Sequence, residues 1–305
     1  MTGNKTLAAA IIVVMVVIAS FVGALVLMGD QGGSGTGAIT VIDDRGQNVT
    51  FESHPQRIVS LGASFTEVLF TIGADDQVVG VDKYSDYPLA ALNKTNVGSG
   101  YTLNPEAVMA LDPDCVIIWS YCTESIATLE GLDVPVLAFY PGSVDDIMAV
   151  IDCLGEVTGK TSEAGNLVSG MQQTIDGISD ALQNLTQEER PKVYFELKSG
   201  KTVGSGTITN EFIEMAGGLN IYGNATTTYP QPSSEYIISE NPDIIIVEDQ
   251  SPKTNEDIVS QEGWDSINAV HDNLIYRINK DLNSCTPRLV EALQTFAHWL
   301  HPDLC

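Results

Sequence analysis

The chain has 305 residues, enough for two core-forming domains, and 44% of its side chains are hydrophobic, which favours a packed globule over disorder. Its 40 acidic and 14 basic side chains give a formal net charge of −26. This composition disfavours nucleic acid as a partner, because binding to phosphates needs clustered Lys and Arg side chains. We expect an acidic, solvated surface instead.

The N-terminal segment, residues 1–28, predicts a membrane anchor. The stretch from Leu7 to Met28 carries no charge. At about 1.5 Å per helical residue it is long enough to cross a hydrocarbon core of about 30 Å. Cleaved signal peptides have shorter apolar regions, so we expect a retained single-pass anchor in the cell membrane. Lys5 precedes the stretch and Asp30 follows it, an asymmetry that places the body of the protein outside. The Gly-rich residues 29–38 then form a flexible linker.

Residues 39–158 show the alternation of strands and helices that is typical of an α/β lobe with a largely parallel sheet. A hairpin is predicted over residues 38–50, and Ser64 and Glu67 have the spacing of a capping box at the start of the first helix. The predicted strands are Arg57–Leu61, Gln77–Val81, Cys115–Trp119 and Val134–Phe139. The helices predicted after the first are Pro105–Leu111 and Val144–Gly155.

A single long helix is predicted between two similar halves. From Ser162 to Leu185 the sequence has no Pro, and apolar residues recur at steps of three and four residues. We assign residues 159–187 to this linker helix and residues 188–305 to a second α/β lobe. The elements predicted in the second lobe are, in chain order, Lys192–Leu197, Glu211–Ala216, Tyr236–Ser239, Ile244–Val247, Leu274–Ile278 and Pro287–Leu300.

Each half contains a Glu seven residues before a Pro-Asp turn that leads into an apolar strand. The first copy has Glu106 before Pro113, and the second has Glu235 before Pro242. One copy alone would be ordinary for an α/β chain, because Glu is favoured at a helix start and Pro resets the chain direction. Two copies with the same spacing, on either side of a long helix, indicate paired lobes.

Four segments of the chain stand out together: Arg57–Leu61 with Thr66–Glu67, Tyr84–Pro88, Leu111–Asp114 and Thr286–Ala292. With these segments the chain resembles the binding proteins of ABC importers for cobalamin, ferric siderophores and haem. The resemblance covers nearly all of the chain after the linker, and Tyr84–Pro88 is closest to the cobalamin branch. It implies two α/β lobes joined by one rigid helix and a ligand bound between them. It also implies delivery of that ligand to an ABC permease dimer with a cytoplasmic ATPase.

The resemblance further implies two sets of site residues. Glu106 and Glu235 match outer carboxylates that pair with permease arginines, a role suited to bidentate contacts. Aromatic residues line the cleft in the cobalamin branch, and their flat faces suit a corrin or porphyrin. The matching residues are Tyr84, Tyr101, Trp119 and Tyr229, with Phe195 or a neighbour in the second lobe. Cobalamin binders carry charged ligand contacts in a loop that here contains Asn283, which is the last ligand candidate.

We expect cobalamin or another corrinoid as the ligand, with a ferric siderophore or haem as the alternative in the same family. A cell-surface sensor or scavenger is the alternative without transport. An enzyme is not expected, because Gly62–Thr66 lacks the last Gly of a hydrolase elbow and no P-loop or Rossmann glycine pattern occurs. A binder of bare zinc or manganese needs clustered His, and only His54 occurs in the first half. We therefore expect neither a metal site nor a resident cofactor.

The five cysteines include no Cys-x-x-Cys pair, so the usual zinc and redox motifs are absent from the sequence. Cys122 and Cys285 fall in polar loops of opposite lobes, where a disulfide between them would lock the cleft. We therefore expect unpaired thiols or another pairing.

Overall fold

The computed structural model describes residues 37–279, 282 and 284–305. Within these residues, no helix combines the length and the apolar character needed to cross a membrane. The predicted anchor (residues 1–28), most of the predicted linker and the ligand candidate Asn283 lie outside the described residues.

The N-terminal part of the described chain contains a hairpin and a parallel sheet. The hairpin pairs β1 (Ile39–Ile42) with β2 (Asn48–Phe51), as predicted. The strands of the sheet are β3 (Ile58–Leu61), β4 (Val78–Val81), β5 (Thr95–Asn96), β8 (Cys115–Trp119) and β9 (Val136–Phe139), in the spatial order β5-β4-β3-β8-β9. A small antiparallel pair, β6 (Gly98–Ser99) with β7 (Thr102–Leu103), follows β5 in the chain. The central strands are apolar runs buried on both faces, as a helix-covered parallel sheet requires.

The helices around this sheet are α1 (Ala63–Thr71), α2 (Pro105–Met109), α3 (Thr123–Glu130) and α4 (Val144–Thr158). The predicted capping box is wrong, because α1 begins at Ala63 after an extended Gly62 and no side chain of the described residues caps its first turn. Ser64 lies inside that turn, and Glu67 accepts hydrogen bonds from a distant arginine. Gly62 is required here because a Cβ atom would lie 2.7 Å from the indole nitrogen of Trp119.

The C-terminal part contains a second parallel sheet. Its described strands are β10 (Lys192–Glu196), β11 (Leu219–Asn220), β12 (Ile244–Glu248) and β13 (Ile275–Ile278), in the spatial order β11-β10-β12-β13. The helices around it are α6 (Ile208–Met215), α7 (Ser234–Glu240), α8 (Asn255–Val259), α9 (Asn268–His271) and α10 (Leu289–Leu300). Two parallel sheets with helices confirm the predicted α/β class.

The long helix α5 (Thr161–Leu182) follows α4 and packs against both α4 and α10. Gly155 allows the close approach to α4, since a Cβ atom there would clash with Ala164. Met171 and Ile178 are buried on α5 and belong to a hydrophobic cluster that also contains side chains from both parallel sheets. One apolar face of α5 therefore packs against core side chains from both halves of the chain, as its amphipathic sequence pattern requires.

The Glu-to-Pro repeat of the sequence corresponds to a structural unit present in both sheets. In the first sheet the residue before the proline has a φ of 48°, and the carboxylate of Asp114 accepts a hydrogen bond from the backbone N–H of Arg57 at 2.9 Å. In the second sheet the equivalent φ is also 48°, and Asp243 accepts from the backbone N–H of Lys192 at 2.9 Å. In each case the aspartate ties together the starts of two neighbouring strands.

Candidate functional site

A cleft of about 530 Å³ is lined by residues of both halves of the chain, which we call the first lobe (39–158) and the second lobe (188–305). Its first-lobe wall includes Ser64 and Tyr84, which follow β3 and β4. Its second-lobe wall includes Lys198 and Glu248, which lie at the carboxyl ends of β10 and β12. Parallel α/β sheets bind ligands at the carboxyl ends of their strands, and the volume falls within the range of about 300–1,000 Å³ usual for ligand pockets. The cleft is therefore the candidate binding site.

Three stacked side chains beside the cleft, Tyr101, Tyr121 and Trp119, form what we call the aromatic row. The ring centroids of Tyr101 and Tyr121 are 5.4 Å apart at an interplanar angle of 27°, and those of Tyr121 and Trp119 are 5.7 Å apart at 11°. The hydroxyl of Tyr101 donates a hydrogen bond to that of Tyr121 at 3.0 Å. Tyr140 meets Tyr121 edge-on at 5.6 Å. Because these rings hold one another in place, the row is a preorganised apolar surface beside the cleft.

The fold places each of these rings at the carboxyl edge of the first sheet. Trp119 is the last residue of the otherwise buried strand β8, and Tyr121 follows it. Tyr140 directly follows β9, and Tyr101 lies in the turn between β6 and β7. Tyr101, Tyr140 and Tyr121 are 67%, 60% and 42% exposed, so they are free to contact a ligand.

Two further predicted aromatic residues, Tyr84 and Tyr229, are also about half exposed. Tyr84 lines the cleft, and the Nζ atom of Lys83 lies 4.9 Å from the centroid of its ring. Burial raises the pKa of the Tyr229 phenol, and the neighbouring Tyr140 and Cys285 raise it further. Since Tyr140 belongs to the first lobe, Tyr229 extends from the second lobe towards the aromatic row.

Phe195, by contrast, is not on the cleft surface. Its side chain is fully buried and packs against Phe296 of α10, with ring centroids 6.3 Å apart. Successive side chains of a strand point to opposite faces of the sheet, and Phe195 points to the face of β10 that α10 covers. The expectation that Phe195 contacts the ligand is thereby corrected, and Lys198, three residues later, lines the cleft instead.

Sequence reasoning did not identify Tyr121, Tyr140 and Tyr87 as site residues. Tyr121 and Tyr140 come just after predicted strands, and that position was a usable signal, because chain segments there border the cleft of a parallel sheet. Tyr87 gave no such signal. The centroid of its ring lies 3.7 Å from the guanidinium carbon of Arg288, and the two residues are far apart in sequence.

The two predicted docking glutamates occupy equivalent positions. Glu106 is the second residue of α2 and Glu235 the second residue of α7, and both side chains are exposed. The residue two positions earlier caps each helix, Asn104 in one case and Ser233 in the other. Hydrogen bonds from the backbone N–H of Glu235 itself and from the Ser233 hydroxyl lower the pKa of the Glu235 carboxyl. Each carboxylate is thus displayed at the start of a capped helix.

Among the described residues, no group of three or more His, Cys, Asp or Glu side chains is placed to hold a metal ion. All five cysteines are free in the structure. The thiol of Cys285 donates a hydrogen bond to the carbonyl of Pro141 at 3.4 Å, and burial raises its pKa to about 11. Burial also raises the pKa of Cys122. Both thiols are therefore protonated at neutral pH and are not activated nucleophiles.

The family profile of periplasmic binding proteins matches residues 58–282 of the chain. A cobalamin-binding protein of Halobacterium salinarum is 30% identical over 274 residues, covering 86% of this chain and 74% of that protein. An uncharacterized ABC transporter substrate-binding lipoprotein of Bacillus subtilis is 29% identical over 274 residues, covering 87% and 86%. The structure of a periplasmic haem-binding protein from Roseiflexus, in its apo form, gives a TM-score of 0.71 at 24% identity and covers 81% of this chain and 98% of that chain. The last likeness concerns the fold alone.

Proposed function

This chain belongs to the periplasmic binding protein family, and on that premise we propose that it binds a corrinoid such as cobalamin between its two lobes and delivers it to an ABC permease. The family consists of substrate-binding proteins for transport, so the chain is a binding protein and not an enzyme. The observation that carries the corrinoid proposal is the aromatic row beside the cleft.

A corrin is a wide, nearly flat and largely apolar ring with polar side arms at its rim. The stacked rings of Tyr101, Tyr121 and Trp119 offer an ordered apolar surface for contact with the corrin, and their side chains lose little conformational entropy on binding. Tyr84 and Tyr229 are about half exposed and add further apolar surface and hydroxyl groups for contact with the ligand. The relative named as a cobalamin-binding protein supports this choice of ligand.

Haem or another iron chelate is the second candidate ligand. The fold shared with a haem-binding protein supports it, and so do the exposed phenols near the cleft, because a Tyr oxygen can ligate haem iron. The relative named as a cobalamin-binding protein places corrinoids ahead of iron chelates.

We propose that Glu106 and Glu235 dock the protein onto the permease, one in each lobe. Exposed carboxylates at the starts of capped helices suit bidentate contacts with arginines of a two-fold permease. A cell-surface sensor or scavenger would bind the same ligand without this docking step. Loss of uptake on removal of both carboxylates is the outcome that distinguishes transport from those alternatives.

The chain is an extracytoplasmic binding protein by family, and we propose that residues 1–28 anchor it to the membrane. The apolar stretch in these residues supports the anchor, and the Bacillus relative is named as a lipoprotein, which is another kind of membrane attachment. Deletion of residues 1–28 should move the protein from the alkali-washed membrane fraction to the soluble fraction. Retention of the shortened chain in the washed membranes would contradict this assignment.

The ligand proposal is tested by titrating the purified full chain with cobalamin, cobinamide, haem and a ferric siderophore, using calorimetry and Trp fluorescence in parallel. We expect binding of both corrinoids and quenching of Trp119. The Trp119→Phe variant should lose the optical signal, whereas Trp264→Phe, which changes a buried core residue far from the aromatic row in sequence, should keep it. Binding of haem or the siderophore alone would favour the second candidate, and no binding of any ligand would refute the proposal.

A further inference from the structure

A narrow pocket of about 110 Å³ adjoins the aromatic row. Its lining includes Tyr101, Trp119, Tyr84, Cys122 and Asp82. A water molecule needs only about 10–15 Å³ of such space, so the pocket has room for a short side arm of a ligand lying against the row. The pocket is otherwise lined by apolar or weakly polar groups, which makes the carboxylate its distinctive feature.

Asp82 directly follows β4 and is 5% exposed. One carboxylate oxygen, Oδ1, accepts hydrogen bonds from the hydroxyl of Ser85 at 2.7 Å and from the backbone N–H of Tyr84 at 3.2 Å. The hydroxyl of Ser85 also lies 2.9 Å from that of Thr66, which holds Ser85 in place. These contacts fix the orientation of the carboxylate from one side.

The other oxygen of Asp82, Oδ2, is left without a donor. Among the described residues no hydrogen bond of ordinary geometry reaches it, and Lys83 acts on the carboxylate only through longer-range attraction. A carboxylate has about four acceptor sites. Oδ2 is not one of the fully enclosed polar atoms without a partner, so it is accessible to water or to a ligand donor through the pocket. Since the pocket is the opening that Asp82 lines, the ligand is the natural source of that donor.

We propose that Oδ2 of Asp82 accepts a hydrogen bond from an N–H donor on a side arm of the bound ring, so that this pocket selects amide-bearing corrinoids over rings with carboxylate arms. The inference rests on the proposed function and names the part of the ligand that is recognised. An amide arm offers the donor that Asp82 lacks. A carboxylate arm, as in a corrin acid or in haem, brings a second negative charge into a nearly buried site and is rejected.

The test compares two corrins of the same ring, cobinamide and cobyrinic acid, whose arms are amides in the first and carboxylates in the second. The unmodified chain should bind cobinamide more tightly by at least about tenfold, since hydrogen bonds to charged groups are worth about 10- to 100-fold in affinity. In Asp82→Asn an amide N–H replaces Oδ2, so the ratio of the two affinities should fall by at least about tenfold. Asp82→Ser, which removes the charge with a smaller side chain, should also lower the ratio and serves if Asp82→Asn does not fold.

The matched control is Asp76→Asn, which makes the same charge change at an exposed position before the start of β4. It should leave the ratio unchanged. An unchanged ratio in both folded Asp82 variants would overturn the subsite and leave the corrinoid function standing. Failure of the unmodified chain to bind either corrin would overturn the corrinoid function and this inference with it.

Discussion

Arg288 and Glu67 form a bidentate ion pair between the two lobes. The Nε and Nη2 atoms of Arg288 donate hydrogen bonds to the two carboxylate oxygens of Glu67 at 2.9 and 2.8 Å. Glu67 lies on α1 of the first lobe and is 2% exposed, and Arg288 directly precedes α10 of the second lobe. The guanidinium also lies over the ring of Tyr87. Near the cleft, this pair fixes the position of one lobe relative to the other.

Replacing Glu67 with Gln should therefore destabilise the fold. The change removes a nearly buried charge partner of Arg288, and a hydrogen-bonded charge pair of this kind contributes about 2 kcal/mol. We expect the free energy of unfolding, measured by urea denaturation, to fall by that amount. The matched variant Glu240→Gln removes one partner of the exposed pair with Lys192 and should cost less than about 1 kcal/mol. Equal losses of unfolding free energy in the two variants would show that the interlobe pair contributes no more to stability than an exposed pair.

The central ring of the aromatic row should be the most sensitive to truncation. Tyr121 contacts Tyr101, Trp119 and Tyr140, so Tyr121→Ala removes the ring that holds the others in place. We expect its affinity for cobinamide, measured by calorimetry, to fall by about 10- to 100-fold, the usual effect of losing an aromatic contact at a binding site. Tyr121→Phe keeps the stacking and loses only the hydroxyl bonded to Tyr101. It should change the affinity by less than about threefold, and an equal loss in both variants would contradict a stacking role.

The sequence allowed the buried strands and the long helix to be predicted well. The strand Cys115–Trp119 was predicted to the residue, because a parallel strand buried on both faces is an apolar, β-branched run with clear ends. Helix α5 has an uninterrupted apolar spacing without Pro. The helices α3, α8 and α9 were not predicted.

The site was harder to predict, because side-chain direction depends on tertiary packing. Phe195 looked like a cleft residue, but the contact with Phe296 that buries it joins segments far apart in sequence. Ser64 and Glu67 had the spacing of a capping box, yet Glu67 bonds to Arg288 in the other lobe. Asp82 gave no sequence signal, because its importance arises from burial next to an open pocket.

Removal of both docking carboxylates should separate uptake from ligand binding. In the double variant Glu106→Ala, Glu235→Ala we expect unchanged affinity for cobinamide, because both side chains are exposed at helix starts and neither lines the cleft. Uptake of labelled corrinoid by cells should fall at least about tenfold, since two charge-assisted contacts are lost. Glu163→Ala, in the first turn of α5, removes an exposed carboxylate of similar setting and should leave uptake intact. A loss of ligand affinity in the double variant would place these residues in the binding site.

Glu211 should make the stability of the fold depend on pH. Its carboxylate, on α6 of the second lobe, accepts a hydrogen bond from the backbone N–H of Val144 at the start of α4 in the first lobe, at 3.0 Å. Burial raises the pKa of Glu211, this hydrogen bond opposes the rise, and the nearby Asp145 and Asp146 add to it. Because the pKa is higher in the folded than in the unfolded chain, the folded state holds the proton more tightly. Stability from this group is therefore present below the ordinary Glu pKa and is lost as pH rises through the raised value.

The variant Glu211→Gln isolates this effect, because its amide oxygen can still accept from Val144 while the charge is gone. We expect its melting temperature to exceed that of the unmodified chain near neutral pH and the difference to shrink as pH falls towards about 4. Other carboxyls with raised pKa, such as Asp44 and Asp152, change stability in the same direction. They are present in both proteins, so they cancel in the difference. A difference that stays constant from neutral to acidic pH would mean that the charge of Glu211 does not oppose the contact between the lobes.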